Sequence, residues 1–354
     1  MTRERKSRFL ETLCEAQKLA FAPFIFKAAS AALRTGLLDL VVTSDTPVTR
    51  ARAAEKLNLT PYAVNVLADI LKPAGLLNES EAGLTATETG SLLVLDDMTR
   101  ANFFFTDDVN YLGLDKTLDS LLEGRPAGLA AFNPEWKTIY PHLPDLPPDA
   151  MASWFTFDHY HSDRAYQAAL DILEARHPTH LTDIGGNTGR FTRLFLERFP
   201  MARATLVDLP VEAEALPRRP ELAHVIDRIK TVSIDWLTDA PLTGTRGADL
   251  YWMSQFLDCF SPAEAVSILR RTRAEMVPGA VLAVLEPIVD EQRHRAAELS
   301  LAATSLYFTV LANGNSRFFN GAELRAVFDE AGFDIEAEHP ALGISHTLFI
   351  LRAR

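Results

Sequence analysis

The sequence predicts an α/β fold, a mostly parallel sheet covered on both faces by helices, preceded by a mainly helical domain. Three observations predict it. From about residue 180, short apolar runs alternate with helix-length segments, as in chains that return to one sheet through helical crossovers. A glycine-rich turn, DIGGNTG at 183–189, joins one such run to a helix. Before residue 150 the pattern is instead helical, with one small hairpin.

Residues 10–40 read as one or two helices with large apolar faces. Residues 46–79 read as helix, turn, helix. Thr60 caps the second helix, Pro61 enters its first turn and Gly75 ends it. A hairpin comes next, its turn near 80–83, and the outline is that of a winged helix. The second helix offers Asn65 and Lys72 but no arginine, so a structural or dimerising role is expected rather than entry into a DNA groove. Residues 98–150 are helical and rich in aromatics. The proline-rich run YPHLPDLPPDA at 140–150 reads as a pocket-edge loop or as the boundary between domains 1–150 and 151–354.

The second domain begins with a helix over about 152–175. Strands are expected in LTDIGG, ARATLVDLP, RIKTVSIDW, GADLYWMSQFLDCF and AVLAVLEPI, with helices GRFTRLFLERFP and PAEAVSILRRTRAEM among them. Another helix starts near Gln292, then come the loop NGNSR, the last large helix ELRAVFDEAGF and the closing strand HTLFILRA.

The 354 residues carry a formal net charge of −12 and no dense basic tract, which argues against a nucleic-acid partner. Cys14 and Cys259 cannot build a disulfide scaffold and suit a reducing compartment. Lys27, Arg34 and Asp39 interrupt the apolar stretch near the N-terminus, so no membrane span or export signal is expected. These readings imply a cytoplasmic location. The lone HxH at His159 and His161 does not suggest a metal site.

The glycines of 183–189 let the chain turn tightly and approach a ligand. Asp208, ending the next strand in LVDLP, can accept both hydroxyls of a ribose. Asp235, in SIDW at 233–236, can accept from an adenine amino group, and Trp236 can either stack on the base or be a core aromatic. GGNTG preceded by Asp183 departs from the GxGxxG of pyrophosphate binders. It favours S-adenosylmethionine, whose ammonium, carboxylate and sulfonium use carboxylates and carbonyls as well as N–H groups.

On DIGGNTG, LVDLP, SIDW, LDCFSPAEAVSILRR, AVLAVLEPI and NGNSRFFNGAELRAVFDEAGF, and on the winged-helix region, the chain resembles the two-domain, plant-type small-molecule O-methyltransferases and their bacterial relatives. The resemblance spans nearly the whole chain. It implies a Rossmann-like class I methyltransferase domain behind a winged-helix dimerisation domain, hence a homodimer whose helical domain helps wall the acceptor pocket. It implies that Gly185, with Gly186 and Gly189 in the same loop, cradles the amino-acid end of the donor. Asp208 and Leu209 would lie at the ribose, Asp235 and Trp236 at the adenine, and Asp183, Ser254 and Gln255 would complete the donor site. Ser254 stands where many relatives carry Lys or Arg. Asp258 stands where their general-base histidine stands, and Ser316, before Arg317, replaces an acidic residue.

Two candidate bases emerge. Asp258 becomes suited to a phenol if burial raises its pKa. His161 lies in WFTFDHYHSD at 154–163, and on a helix it shares a face with Phe157, as Phe157 does with Trp154. Trp154, Phe157, His159, Tyr160, His161, Asp258, Phe308 and Asn313 are the expected acceptor contacts. Phe103–105, Phe318 and Phe319 are further aromatics for that pocket, and His346 is expected to be structural. The acceptor is a small, aromatic or polyketide-like metabolite, methylated at a hydroxyl oxygen. The missing histidine leaves open methylation at an activated ring carbon or a nitrogen, or a non-catalytic ligand-binding role.

Overall fold

The computed structural model describes residues 3–354, with side chains from residue 7. They pack as two compact units, Met1–Asp107 and Asp108–Arg354.

The first unit holds helices α1 (Arg3–Ala20), α2 (Ala22–Arg34), α3 (Leu37–Val42), α4 (Arg50–Leu57) and α5 (Pro61–Leu71), the antiparallel hairpin of β1 (Leu77–Ser80) and β2 (Gly83–Ala86), then α6 (Glu88–Leu95) and α7 (Asp97–Phe104). Thr49 and Thr60 cap α4 and α5 by accepting from the backbone N–H groups of Arg52 and Ala63. The winged-helix outline is therefore present. Asn65 and Lys72 are spent within it: Asn65 accepts from Arg50, and Lys72 pairs with Glu79 at 2.6 Å. Phe103 stacks on Phe26 within this unit, its centroid 4.5 Å away. Leu10, Leu13, Leu19, Phe21 and Phe24 are exposed along α1 and α2.

The second unit begins ahead of the proline-rich boundary expected from sequence. The cause is close packing. A Cβ on Gly128 would lie 2.5 Å from Val310, and one on Gly113 2.8 Å from Leu311, so the 113–131 segment is pressed onto the turn at 308–312. Helices α8 (Thr117–Glu123) and α9 (Pro148–Glu174) lead into the sheet. Then come β3 (His180–Ile184), α10 (Arg190–Arg198), β4 (Arg203–Asp208), α11 (Pro210–Ala215), β5 (Ile229–Ser233), β6 (Leu250–Ser254), α12 (Pro262–Glu275), β7 (Val281–Pro287), α13 (Arg295–Tyr307), α14 (Gly321–Ala331), β8 (Phe333–Leu342) and β9 (His346–Ala353).

The seven strands run in the order β5-β4-β3-β6-β7-β9-β8. All are parallel except β9, which is antiparallel to both neighbours. Apolar clusters fill both faces, one centred on Tyr251, Met253 and Leu282, the other on Phe195, Trp252 and Ala283. This is a Rossmann-like core. Its direction of winding reverses between β3 and β6, which places a ligand crevice at their carboxyl ends. The sequence reading missed β8. It is an edge strand with alternating exposure, and its Asp334, Glu336, Glu338 and Pro340 read as a polar loop.

Candidate active site

At the end of β3, Gly185 turns the chain with φ +72, and a Cβ there would meet Phe256 at 2.4 Å. Gly186 is similarly confined by Leu206. Gly189 (φ +78) becomes the N-cap of α10. Asp208 ties this turn to β4: its two oxygens accept from the N–H groups of Asn187 and Leu209, each at 2.7 Å. Each oxygen keeps a lone pair, the requirement for holding a vicinal diol. Crowding lifts the Asp208 carboxyl to about 6.

Asp183 lies beneath the turn, sealed at 2% exposure, and accepts from Thr192 Oγ1 at 2.6 Å. It pins α10 to β3, and burial raises it to about 7. Asp235 is exposed at the carboxyl end of β5 and holds its own turn by accepting from Leu237 N. Trp236 takes the core alternative. It is 5% exposed, edge-on to Phe256, with the Arg271 guanidinium 4.9 Å above its ring.

Ser254 Oγ, at the end of β6 beside Tyr166, and Asn187 Oδ1, in the glycine turn, are buried polar atoms without a well-formed hydrogen bond in the protein. Gln255 adopts φ 45, and its Oε1 meets His346 Nε2 at 3.0 Å, which gives His346 the structural place expected. A diol acceptor, an exposed carboxylate and two polar atoms awaiting partners together fit an adenosyl ligand with an amino-acid tail.

Past Gln255 the chain enters a short turn bearing Asp258 and Cys259. Asp258 is 1% exposed and faces Glu286 of β7, also 1% exposed. Glu286 Oε1 accepts from the N–H groups of Phe256 (2.9 Å) and Leu257 (2.8 Å), while Oε2 and Asp258 Oδ2 have no hydrogen-bond partner in the protein. Burial pushes both carboxyls up, and the charge of Asp258 adds to the effect on Glu286. The Tyr140 hydroxyl lies against Cys259, and Tyr307 OH accepts from Trp154 Nε1 at 2.8 Å. Asn313 Nδ2 donates to Cys259 O at 3.2 Å and so steadies the turn. Phe308, 7% exposed, packs edge-on between Tyr307 and Phe318.

His161 belongs to a different cluster. Its ring packs on Phe157 at 4.7 Å and Tyr160 at 5.6 Å, and it lies near enough to His346 to depress it. Burial, aided by Arg164, holds His161 down to about 4, and burial, aided by Arg190 and Arg219, does the same to His159. Both rings are neutral at pH 7 and weakly basic, so of the two candidate bases Asp258 has the better chemistry. Tyr160 carries Arg164 on its face at 4.2 Å. The sequence reading missed Glu286 and Tyr307, took Asp158 for an ordinary helix-surface group, and placed Tyr140 only in a boundary or pocket-edge loop. Only Glu286 left a clear signal: an acid inside the apolar strand AVLAVLEPI.

Residues 159–334 match the O-methyltransferase domain, and residues 14–76 the Dimerisation2-like domain. The mitomycin biosynthesis 6-O-methyltransferase of Streptomyces lavendulae is 30% identical over 158 residues, 45% of this chain and 42% of that protein, so the alignment spans under half of that relative. O-demethylpuromycin-O-methyltransferase of Streptomyces alboniger is 26% identical over 85% of this chain and 78% of its own length. Two solved structures share the fold. The mitomycin 7-O-methyltransferase superposes with TM-score 0.74 at 18% identity, covering 100% of both chains. An O-methyltransferase from neocarzinostatin biosynthesis, in complex with S-adenosylhomocysteine and 1,4-dihydroxy-2-naphthoic acid, gives 0.70 at 21% identity over 93% of this chain and 96% of that one. Residues 159–334 are thus similar to the O-methyltransferase domain, and the region ahead of them to a Dimerisation2-like domain.

Proposed function

We propose that the chain methylates a hydroxyl of a small aromatic or polyketide-like metabolite, with Asp258 as the proton acceptor. The observation that carries this reading is the enclosed Asp258–Glu286 pair beside the hydroxyls of Tyr140 and Tyr307. An ordinary aspartate is a poor match for a phenol near pKa 10. Burial beside a second carboxyl narrows that gap, and Glu286, fixed by two backbone N–H groups, holds Asp258 opposite it.

The donor supplies a methyl group on a positively charged sulfur that departs as a neutral thioether. The Gly185–Gly189 turn, Asp208 and Ser254 hold and orient it. Trp154, Phe308 and Phe318 offer an apolar wall that excludes water and positions an aryl acceptor. Relatives whose names specify O-methylation of mitomycin, puromycin and tetracenomycin precursors support an oxygen acceptor of this class.

The exposed apolar side chains of α1 and α2, in a region matching a Dimerisation2-like domain, support a homodimer formed through the first unit. Light scattering at micromolar concentration tests it, and a monomer mass overturns it. For the chemistry, the purified protein is incubated with S-adenosylmethionine and a panel of polyhydroxylated naphthoates and anthraquinones, and the products are read by NMR. An O-methyl product is expected. A C- or N-methyl product overturns the oxygen assignment, and failure to bind S-adenosylmethionine at all overturns the donor site.

A further inference from the structure

The two oxygens of Asp258 are held differently. Oδ1 accepts from the thiol of the next residue, Cys259, whose Sγ is 3.4 Å away. Oδ2 has no hydrogen-bond partner in the protein. Gln255 O is the alternative acceptor for that thiol, at the longer distance of 4.0 Å.

Cys259 is itself fixed. Its N–H donates to Phe256 O at 3.2 Å, and its carbonyl accepts from Asn313 Nδ2 at 3.2 Å. The Tyr140 hydroxyl lies against its sulfur. Burial and the neighbouring Asp258 charge push the thiol well above its ordinary range, so it keeps its proton while Asp258 titrates. The other groups that bear on Asp258 are Glu286 of β7, Asp158 of α9, Tyr307 of α13 and Tyr140. None is a cation. Glu286 can donate only while it is protonated, whereas the thiol donates throughout.

A donor on a carboxylate has two effects. It fixes the direction of the group, and it favours the charged form and so weakens the base. An S–H is a weak donor, so it gives direction with little loss of basicity. A hydroxyl would aim the carboxylate but leave it a poorer base, and an apolar side chain would leave it basic but unaimed. We propose that Cys259 is the positioning residue of the base: its thiol holds Asp258 Oδ1 and leaves Oδ2 as the oxygen that takes the acceptor's proton. This rests on Asp258 being the proton acceptor. In that step Oδ2 takes the hydroxyl proton and the acceptor oxygen bonds to the methyl carbon. The carbon–sulfur bond breaks with its electron pair left on sulfur, and the thiol keeps its proton.

The test begins with infrared spectra of the full chain in a Cys14→Ser background. The chain has two cysteines and Cys14 is exposed on α1, so the remaining S–H stretch belongs to Cys259. As pH rises, ionised Asp258 becomes a stronger acceptor, and the band is expected to step to lower frequency. The step should vanish in Asp258→Asn. A band unmoved by pH overturns the inference and leaves Asp258 free to act as base. Single-turnover rates against pH then read the tuning, with the naphthoate or anthraquinone turned over fastest in the panel above. Cys259→Ser should move the rising limb down by about half a pH unit and lower the plateau about two- to fivefold. Cys259→Ala should move the limb up and lower the plateau about tenfold. Donor affinity should hold in both. A merely structural residue would not displace the limb in opposite directions, and limbs that stay in place or move the same way overturn the inference. The Cys14→Ser spectrum carries the test if neither variant at 259 folds. Wild-type rates in Asp258→Asn overturn the base assignment itself, whatever the thiol band shows.

Discussion

The crevice edge at Asp208 and the Asp258–Glu286 pair are both built on carboxyls, and they differ in what can reach them. Asp208 sits at the open end of β4 with spare lone pairs, while Asp258 and Glu286 are each 1% exposed and turned toward one another. An accessible crowded acid is a place for a ligand. An enclosed pair whose pKa values burial raises is a place to put a proton. Burial alone therefore does not assign a role; the partners already present must be counted as well.

The enclosed side should respond most strongly. Asp258→Asn keeps size but removes proton acceptance, and single-turnover rates should fall about 10²- to 10⁴-fold, with donor affinity held within a few-fold. The wild-type rate should climb with pH as Asp258 loses its proton, on a limb displaced upward from the ordinary carboxylate range. Rates equal to wild type across pH would return the base role to another group. On the open side, Asp208→Ala should weaken donor binding roughly ten- to a hundredfold in calorimetry. A thermal melt checks the turn that Asp208 also holds.

Much of this contrast is legible in the sequence. The glycine turn, Asp208 and the candidate base Asp258 can be read from short motifs, because local backbone demands leave local signatures. The partner at Glu286 comes from a strand twenty-eight residues further on, and the hydroxyls of Tyr140 and Tyr307 from segments more distant still. Only the fold brings them together. Trp236 reads two ways from sequence because one aromatic at a strand end can turn either way, and here Arg271 and Phe256 pack against it. β8 escapes notice because a one-sided edge strand carries charges on its open face.

Two structural contacts of the same regions should give smaller changes. Asp183 is sealed like the acid pair but acts as a pin. Its folded pKa, about 7, is raised above the unfolded value, so the stability it contributes is fully present at low pH and is lost as pH rises through 7. Asp183→Asn, still able to accept from Thr192, should therefore gain on wild type by about 1.4 kcal/mol between pH 6 and pH 8 in paired denaturant melts. A gap that stays constant with pH rejects the raised value. Trp154→Phe should matter least. It removes the donor to Tyr307 OH and should cost about 1 kcal/mol of stability in the same melts.

The 27-residue helix α9 carries Trp154, Asp158, His161, Asp163 and Tyr166 on one unbroken rod. Each residue added to a helix advances the remainder by about 1.5 Å and rotates it by about 100°. A single insertion near 156 would therefore swing every later group off its mark at once. Diversification of acceptor scope in this lineage should proceed by exchanging side chains along α9, with its length preserved.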